Sequence, residues 1–288
     1  MWKFRPFSLN IKGDLRVFDR PQVMGILNIT PDSFYAQSRS TTECDIAQRI
    51  NTMISQGVDL IDIGAYSSRP GAKDVNPDEE CRRLEMGMRI LREIAPSILV
   101  SVDTFRATVA REAVTNMGVN LINDISGGDL DSKMFETVAD LNVPYIVMHM
   151  RGNPSNMYQF TQYNDVTAEV IHALSEKVNI LALMGVCDVI IDPGFGFSKT
   201  LAQNYEMMRN LEVFHALERP LLVGISRKSM IYNLLGTTPQ ESLNATSVLN
   251  TIATMGGASI LRVHDVKEAV ETIKITTTTF NQYNSTQQ

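Results

Sequence analysis

Val23-Met24-Gly25-Ile26-Leu27, closed by Asn28, is apolar at odd and even positions alike. A strand with one wet face would alternate, whereas a run apolar on both faces belongs to a strand buried within a parallel sheet. The same texture returns at 58–63, 98–102, 119–122, 143–148, 189–191, 221–225 and 259–263. Between these runs lie stretches with helical spacing, at 45–56, 79–94, 104–117, 131–141, 166–184, 201–217, 239–255 and 266–275. The first carries Ile46, Ile50, Met53 and Ile54 on one face, and the second Leu84, Met88, Leu91 and Ile94. Gly57, Gly118, Gly185 and Gly256 stand where left-handed helix caps are expected. Upstream, residues 3–18 read as a short hairpin with its turn at Lys12-Gly13-Asp14. The repeated strand–helix rhythm predicts an α/β fold, a (β/α)8 TIM barrel with a short N-terminal β-hairpin. An open doubly wound sheet is the alternative, because pattern alone does not report closure.

The chain has 288 residues. That suits one barrel of about 250 residues with additions, so a single domain is expected over 1–280, followed by a polar tail at 281–288. The Thr-, Asn- and Gln-rich stretch from Thr276 onward is expected to fray. A net charge of −6 argues against nucleic acid as a partner, since binding a phosphate backbone needs a basic face. The three cysteines, Cys44, Cys81 and Cys187, have neither disulfide-framework nor zinc-site spacing. The N-terminal residues lack the apolar core of a secretion signal, and the apolar runs are far shorter than the ~20 residues of a membrane helix. A cytoplasmic protein without membrane contact is expected.

The apolar runs share a second property: each leads to a polar group on its C-terminal side. These are Asn28, Asp62, Asp103, Asn123-Asp124, His149, Asp192, Ser226-Arg227-Lys228, and Arg262 with His264. In a (β/α)8 barrel such ends converge on one mouth, where the active site lies. Asp103 and Asp124 could each serve merely as a helix cap. Lys228, Arg262 and His264 could not, because cations are disfavoured at helix N-termini. Arg262 and His264 stand two apart and so share a face, and with Asn28 across a closed barrel they would form an anion site. Residues 30–41 and 65–76 are long connections, each with proline, serine and arginine, and are expected to cover substrate. No GxGxxG, GxxxxGK[ST] or HExxH pattern occurs, which excludes Rossmann, P-loop and zincin readings. His172 and His215 fall on helical stretches and read as surface residues.

Taken together, several segments carry a resemblance. Met24-Gly25-Ile26-Leu27-Asn28-Ile29-Thr30-Pro31-Asp32-Ser33-Phe34 resembles the first signature of the dihydropteroate synthase family. Ser67-Ser68-Arg69-Pro70-Gly71-Ala72, Ser101-Val102-Asp103-Thr104, Asn123-Asp124, Asp192-Pro193-Gly194-Phe195-Gly196-Phe197, Ser226-Arg227-Lys228-Ser229 and Arg262-Val263-His264-Asp265 resemble the later ones, in order, across about residues 23 to 270. The resemblance implies a transferase of folate biosynthesis and a sulfonamide target. It would join 6-hydroxymethyl-7,8-dihydropterin diphosphate to 4-aminobenzoate, giving 7,8-dihydropteroate and diphosphate. Diphosphate departs first and the amine then attacks.

The resemblance also implies a set of site residues. Asp103, Asn123, Asp192, Lys228 and Arg262 would bind the pterin, walled by Met148 and Phe197. Asn28, Ser67, Ser68, Arg262 and His264 would hold the diphosphate. Phe34, Ser68, Arg69, Pro70, Phe197 and Ser229 would hold 4-aminobenzoate. Lys228, Arg262, Asp103 and Asn28 would carry the chemistry, with Mg2+ on Asn28 and the diphosphate, in a homodimer as is usual for the family. The sequence departs from the family pattern in four places. Tyr35-Ala36-Gln37 and Tyr66 stand where many members carry acids, while Ala65 and Ser198 stand where glycine is common. Weaker metal dependence is the expected result.

Two further readings remain open at this point. One is a pterin-dependent methyltransferase domain, which has no need of Arg262, His264 and Asn28 as a diphosphate site. The other is a non-catalytic pterin-binding module, which the loop departures favour. Calorimetry with diphosphate and magnesium is the discriminator, because the synthase should bind and the methyltransferase should not.

Overall fold

The computed structural model describes residues 4–29, 42–66 and 75–281. The hairpin pairs β1 (Phe7–Ile11) with β2 (Asp14–Phe18), Ile11 opposite Asp14. Its two-residue turn puts Lys12 at φ 55° and Gly13 at φ 94°, the positive values that match strand twist in a tight hairpin. The Asn10 side-chain oxygen accepts from the Gly13 N–H at 2.8 Å.

Eight parallel strands follow: β3 (Gln22–Asn28), β4 (Leu60–Gly64), β5 (Leu99–Asp103), β6 (Leu121–Asp124), β7 (Tyr145–Met148), β8 (Val189–Asp192), β9 (Leu222–Val223) and β10 (Ile260–Val263). Their order around the sheet is β8-β7-β6-β5-β4-β3-β10-β9. The two ends meet, since Ile191 bridges to Leu221 in parallel and its N–H donates to the Pro220 carbonyl at 2.9 Å. The sheet is therefore the expected barrel and not an open, doubly wound sheet.

The interior is built in layers by the two-residue period of a strand. Each of the eight strands gives one apolar residue to the lower layer: Met24, Leu60, Leu99, Leu121, Ile146, Ile190, Leu222 and Ile260. Leu9 and Ile11 of the hairpin pack against this layer from below, with Phe7 and Phe18 beside them. Two residues further along, the strands bring up Asp62, Ser101, Asn123, Met148, Asp192 and Arg262. The barrel thus changes from apolar to polar within one pleat. Outside it, helices α1 (Glu43–Ser55), α2 (Pro77–Ile94), α3 (Ala107–Thr115), α4 (Met134–Leu141), α5 (Val166–Leu183), α6 (Leu201–Arg209), α7 (Ser229–Leu235), α8 (Leu243–Met255) and α9 (Val266–Asn281) enclose the larger core. None of the described helices is long and apolar enough to cross a membrane.

Four local expectations change. The stretch 201–217 is α6 followed by a 3-10 segment at Leu211–Leu217, which buries Leu211 and Phe214. A three-residue spacing fits either helix type, so the pattern did not separate them. Helix α7 was not anticipated, being two turns long and stopped by Gly236 at φ 63°. Gly57, Gly118 and Gly185 have positive φ as expected, but at the end of α8 the left-handed residue is Gly257 and not Gly256. Finally, the threonine-rich segment does not fray at Thr276: α9 continues to Asn281, with Thr276 buried. The hydroxyls of Thr272, Thr277 and Thr279 donate to carbonyls one turn back, so these side chains sit within the helix.

Candidate active site

Arg262, from β10, crosses the barrel interior above the apolar layer. Its Nε donates to Asp62 Oδ2 at 2.6 Å and its Nη2 to Asp103 Oδ2 at 2.6 Å. Burial alone would lower its pKa, but the two carboxylates outweigh burial and raise it. Asp62 is fully buried, and also accepts from Asn123 Nδ2 at 3.0 Å and from the Ser101 hydroxyl. Asp103 is pushed up to about 7, first by burial and then by Asp62, Glu80 and Asp124, against the pull of Arg262.

The sign of that shift gives a prediction. An aspartate unfolds to a pKa of about 3.9, so the folded, ligand-free protein holds the Asp103 proton more tightly. The stabilisation is complete below pH ~4 and is lost as pH rises through the folded value. Asp103→Asn, which mimics the protonated form, should gain melting temperature relative to the parent on going from pH 5 to pH 8. A pH-independent difference between the two proteins would remove the burial argument.

Asp192, at the end of β8, is buried and raised in pKa by that burial, against the opposing field of Lys228. Its Oδ1 accepts the Gly194 N–H at 2.8 Å, whereas Oδ2 has no hydrogen-bond partner among the described residues. The turn after it is tight: a Cβ on Gly194 would lie 2.0 Å from the His149 carbonyl oxygen. Lys199 ties this turn from behind, donating to the Gly194 and Phe197 carbonyls, each at 3.0 Å, with His149 Nδ1 at 3.1 Å. His149 is therefore a loop support and does not face the mouth. Ser198, where glycine is common, has φ 48°, which explains that preference, and its hydroxyl accepts from the Arg151 N–H at 2.9 Å.

Lys228 precedes α7 and lies over the Phe197 ring at 4.6 Å, with Nζ donating to the Phe195 carbonyl at 2.5 Å. Burial brings it down to about 8, against the pull of Asp192. Its neighbour Arg227 is turned away from the mouth. It forms a two-pronged ion pair with Asp265 at 2.8 and 2.9 Å and donates to the Pro239 and Gln240 carbonyls. Asp124 is likewise structural: it accepts from Ser126, Gly128 and the Tyr145 hydroxyl, and so caps a turn. Asp103 caps no helix, as α3 begins after Arg106.

His264 follows β10. Its Nδ1 lies 3.1 Å from the Ser226 hydroxyl, and its carbonyl accepts from Arg49 Nη2 at 2.5 Å. Burial, then Arg262, Arg49, Arg227 and Lys228, bring its pKa down to about 3, so it is a neutral imidazole at physiological pH. Asn28 ends β3 beside Gly64 and Asp103, and its side chain has no hydrogen-bond partner among the described residues. Met148 and Phe197 join Phe105, Ile125, Met150 and Met157 in an apolar cluster next to the polar layer. Ser229 opens α7. Phe34, Ala36, Ser67, Ser68, Arg69 and Pro70 lie outside the described residues. Tyr66, at the edge of that gap, packs edge-on against Phe105 at 5.0 Å with the Arg106 guanidinium 5.1 Å from its ring.

Asn28, Asp103, Asn123, Asp192, Lys228, Arg262 and His264 thus lie on β3, β5, β6, β8, the β9–α7 connection, β10 and the residue after it, around one barrel mouth. Asp62, like His149, Asp124 and Arg227, is a strand-end residue that the rule misassigned. The rule offered Asp62 to the mouth, but Ser101, Asn123 and Arg262 take up its carboxylate within the layer they share, which makes it an interior support.

Comparison with known proteins places this arrangement. Residues 24–264 match the model of the pterin binding enzyme family. The chain is 40% identical over 265 residues to dihydropteroate synthase of Escherichia coli K12, covering 91% of this chain and 92% of that one. It superposes on a Yersinia pestis dihydropteroate synthase, solved as a sulfonamide drug complex, with TM-score 0.88 and 37% identity over 96% of this chain and 100% of that one. A Xanthomonas albilineans dihydropteroate synthase with 4-aminobenzoic acid gives TM-score 0.85 and 34% identity over 98% and 99%. The chain belongs to the dihydropteroate synthase family of pterin-binding enzymes.

Proposed function

We propose that the protein condenses 6-hydroxymethyl-7,8-dihydropterin diphosphate with 4-aminobenzoate, yielding 7,8-dihydropteroate and diphosphate. The observation that carries this reading is the pattern of open hydrogen-bonding groups at the mouth. Asp192 Oδ2 and Asn123 Oδ1 are acceptors without partners among the described residues, and the Lys228 ammonium stands close to Asp192. A pterin offers the complement, a guanidine-like N–H edge and a ring carbonyl. Met148 and Phe197 give the ring an apolar wall. Arg262 supplies a planar cation that can stack on the ring and still reach phosphate. Asn28, Ser67, Ser68, Arg262 and His264 are assigned to the diphosphate, and Phe34, Ser68, Arg69, Pro70, Phe197 and Ser229 to 4-aminobenzoate. No protein nucleophile is needed. As the carbon–oxygen bond to diphosphate breaks, the exocyclic carbon becomes cationic and the amine attacks it; Asp103, Lys228, Arg262 and Asn28 position and stabilise charge. An assay for dihydropteroate formation from the two substrates tests this directly, and absence of product would overturn it.

Mg2+ is the proposed cofactor. Among the described residues no group of three His, Cys, Asp or Glu could hold an ion alone. Asn28 offers one hard oxygen, which suits an ion that arrives with phosphate and keeps its waters. When bound there, magnesium neutralises the leaving group. Tyr66 contributes a ring where many members have a carboxylate, consistent with weaker metal dependence.

His264 separates the diphosphate from the ring. His264→Ala should raise the KM of the diphosphate substrate tenfold or more, by loss of one buried hydrogen bond to an anion worth about 1.5–3 kcal/mol. Binding of unphosphorylated 6-hydroxymethylpterin should stay within about threefold of the parent. Equal losses for the two ligands would move His264 out of the diphosphate site.

A homodimer and a cytoplasmic location complete the reading, with the active domain spanning 1–280. Val248, Ile252 and Met255 form an exposed apolar stripe along α8, and Leu234 and Leu235 on α7 and Ile275 on α9 are also exposed. Such surface is costly to leave wet. Sedimentation should give about twice the 32.1 kDa chain mass, and a monomer at micromolar concentration would overturn the assignment. The cytoplasmic location rests on three free cysteines, Cys44, Cys81 and Cys187.

A further inference from the structure

Asp62 makes no contact assigned to substrate, yet two side chains assigned to the pterin converge on it. We propose that Asp62 is the positioning residue of the pterin site: its buried carboxylate fixes both the plane of the Arg262 guanidinium and the facing of the Asn123 amide. The inference rests on the pterin reading above.

The argument begins with hydrogen-bond capacity. An ionised carboxylate only accepts. The part of Asn123 that lies 3.0 Å from Asp62 Oδ2 must therefore be the NH2 group, which turns Asn123 Oδ1 away from Asp62. The two orientations of an unsupported amide differ little in intrinsic energy, so this contact decides whether the ligand meets an acceptor or a donor. Arg262 is governed in the same way. Asp62 Oδ2 lies 2.6 Å from both Nε and Nη2, and Asp103 Oδ2 lies 2.6 Å from Nη2, so one edge of a planar group is held between two carboxylates. Nη1 has no partner among the described residues and is left for an incoming anion. Without Asp62, the guanidinium would be held by Asp103 alone and could pivot about that contact.

Asp62 is itself held. Ser101, its register partner on β5, donates to Oδ1, so both carboxylate oxygens are used and the side chain is fully buried. It sits in the same interior layer as Asn123 and Arg262, between the apolar floor and the rim, where ligand cannot displace it.

The test is a double-mutant cycle on the intact protein, read by calorimetry with 6-hydroxymethylpterin and checked by thermal melting. Asp62→Asn keeps the volume but faces Asn123 and Arg262 with an uncharged amide. It should weaken ring binding about 10- to 100-fold, the scale of a sub-ångström misplacement of contact groups. Combined with Asn123→Ala, the two losses should fall short of their product by roughly tenfold, because Asp62 acts in part through Asn123. A merely structural Asp62 would lower the melting temperature and leave the losses multiplicative, which overturns the proposal, as does ring affinity within threefold of the parent. If Asp62→Asn does not fold, Ser101→Ala decides. It frees one oxygen of Asp62 and should weaken ring binding several-fold, with a shortfall of up to that same size when combined with Asn123→Ala, and unchanged affinity there overturns the proposal too. A parent protein that does not bind 6-hydroxymethylpterin would instead overturn the pterin reading.

Discussion

Asp192→Asn is expected to weaken pterin binding by about 2–4 kcal/mol, roughly 30- to 700-fold, while the fold melts as before. The direction of the mismatch is set by the turn behind the residue. Gly194 N–H donates to Oδ1 at 2.8 Å, so the substituted side chain keeps its oxygen there and presents its NH2 to the ligand. A ring edge rich in N–H then meets a donor in a dry site, and both groups lose their partners. Calorimetry with 6-hydroxymethylpterin measures the loss. An affinity within threefold of the parent would sink the assignment of Asp192 to the ring.

Arg262→Ala should be the most damaging substitution for the fold, at about 3–5 kcal/mol near pH 8. It leaves the carboxylates of Asp62 and Asp103 inside the barrel with their shared cation gone. Asp103, already raised to about 7, would hold its proton to higher pH still. A carboxyl whose folded pKa lies above its unfolded value stabilises at low pH and loses that contribution as pH rises. The variant should therefore recover part of its stability at pH 5.5. Denaturant titrations at the two pH values measure this, and a pH-independent loss below 1 kcal/mol would contradict a buried ion triad. The same reasoning explains why His264, and not Arg262, is the sharper probe of diphosphate: removing Arg262 disturbs ligand and scaffold together.

Much of the fold was legible because a buried parallel strand leaves an unmistakable run, as at 23–29, and because each run stopped at a polar group. Closure was not legible; it depends on the single bridge between Ile191 and Leu221, from residues with no special chemistry. Helix α7 was too short for a period to register. Within the site, Asp103, Asn123, Asp192, Lys228, Arg262 and His264 could be named from position and resemblance. What they do to one another could not. Arg227 and Asp124 look like site residues in sequence, but their neighbours Asp265 and Tyr145, respectively, absorb them. Asp62 looks like one strand end among many until its register beside Ser101 and its bonds to Asn123 and Arg262 show that its carboxylate is used up within their own layer. Such distinctions depend on which way a side chain points, and that is decided by packing across strands and not along the chain.

The hairpin at the foot of the barrel bears on traffic. With Leu9 and Ile11 packed under the apolar layer, the lower end of the barrel is filled among the described residues, and the polar groups are reached from the other end. Whatever sits deepest must enter first and leave last. Asp192 and Asn123, proposed to hold the ring, lie in the interior layer, while Ser229, proposed for the amine, opens the helix beyond the strand ends; on that assignment an amine that arrived early would stand in the doorway of its own co-substrate. High concentrations of 4-aminobenzoate should for that reason slow the enzyme, and the joined product, filling both depths at once, must withdraw as one piece before the next ring can descend.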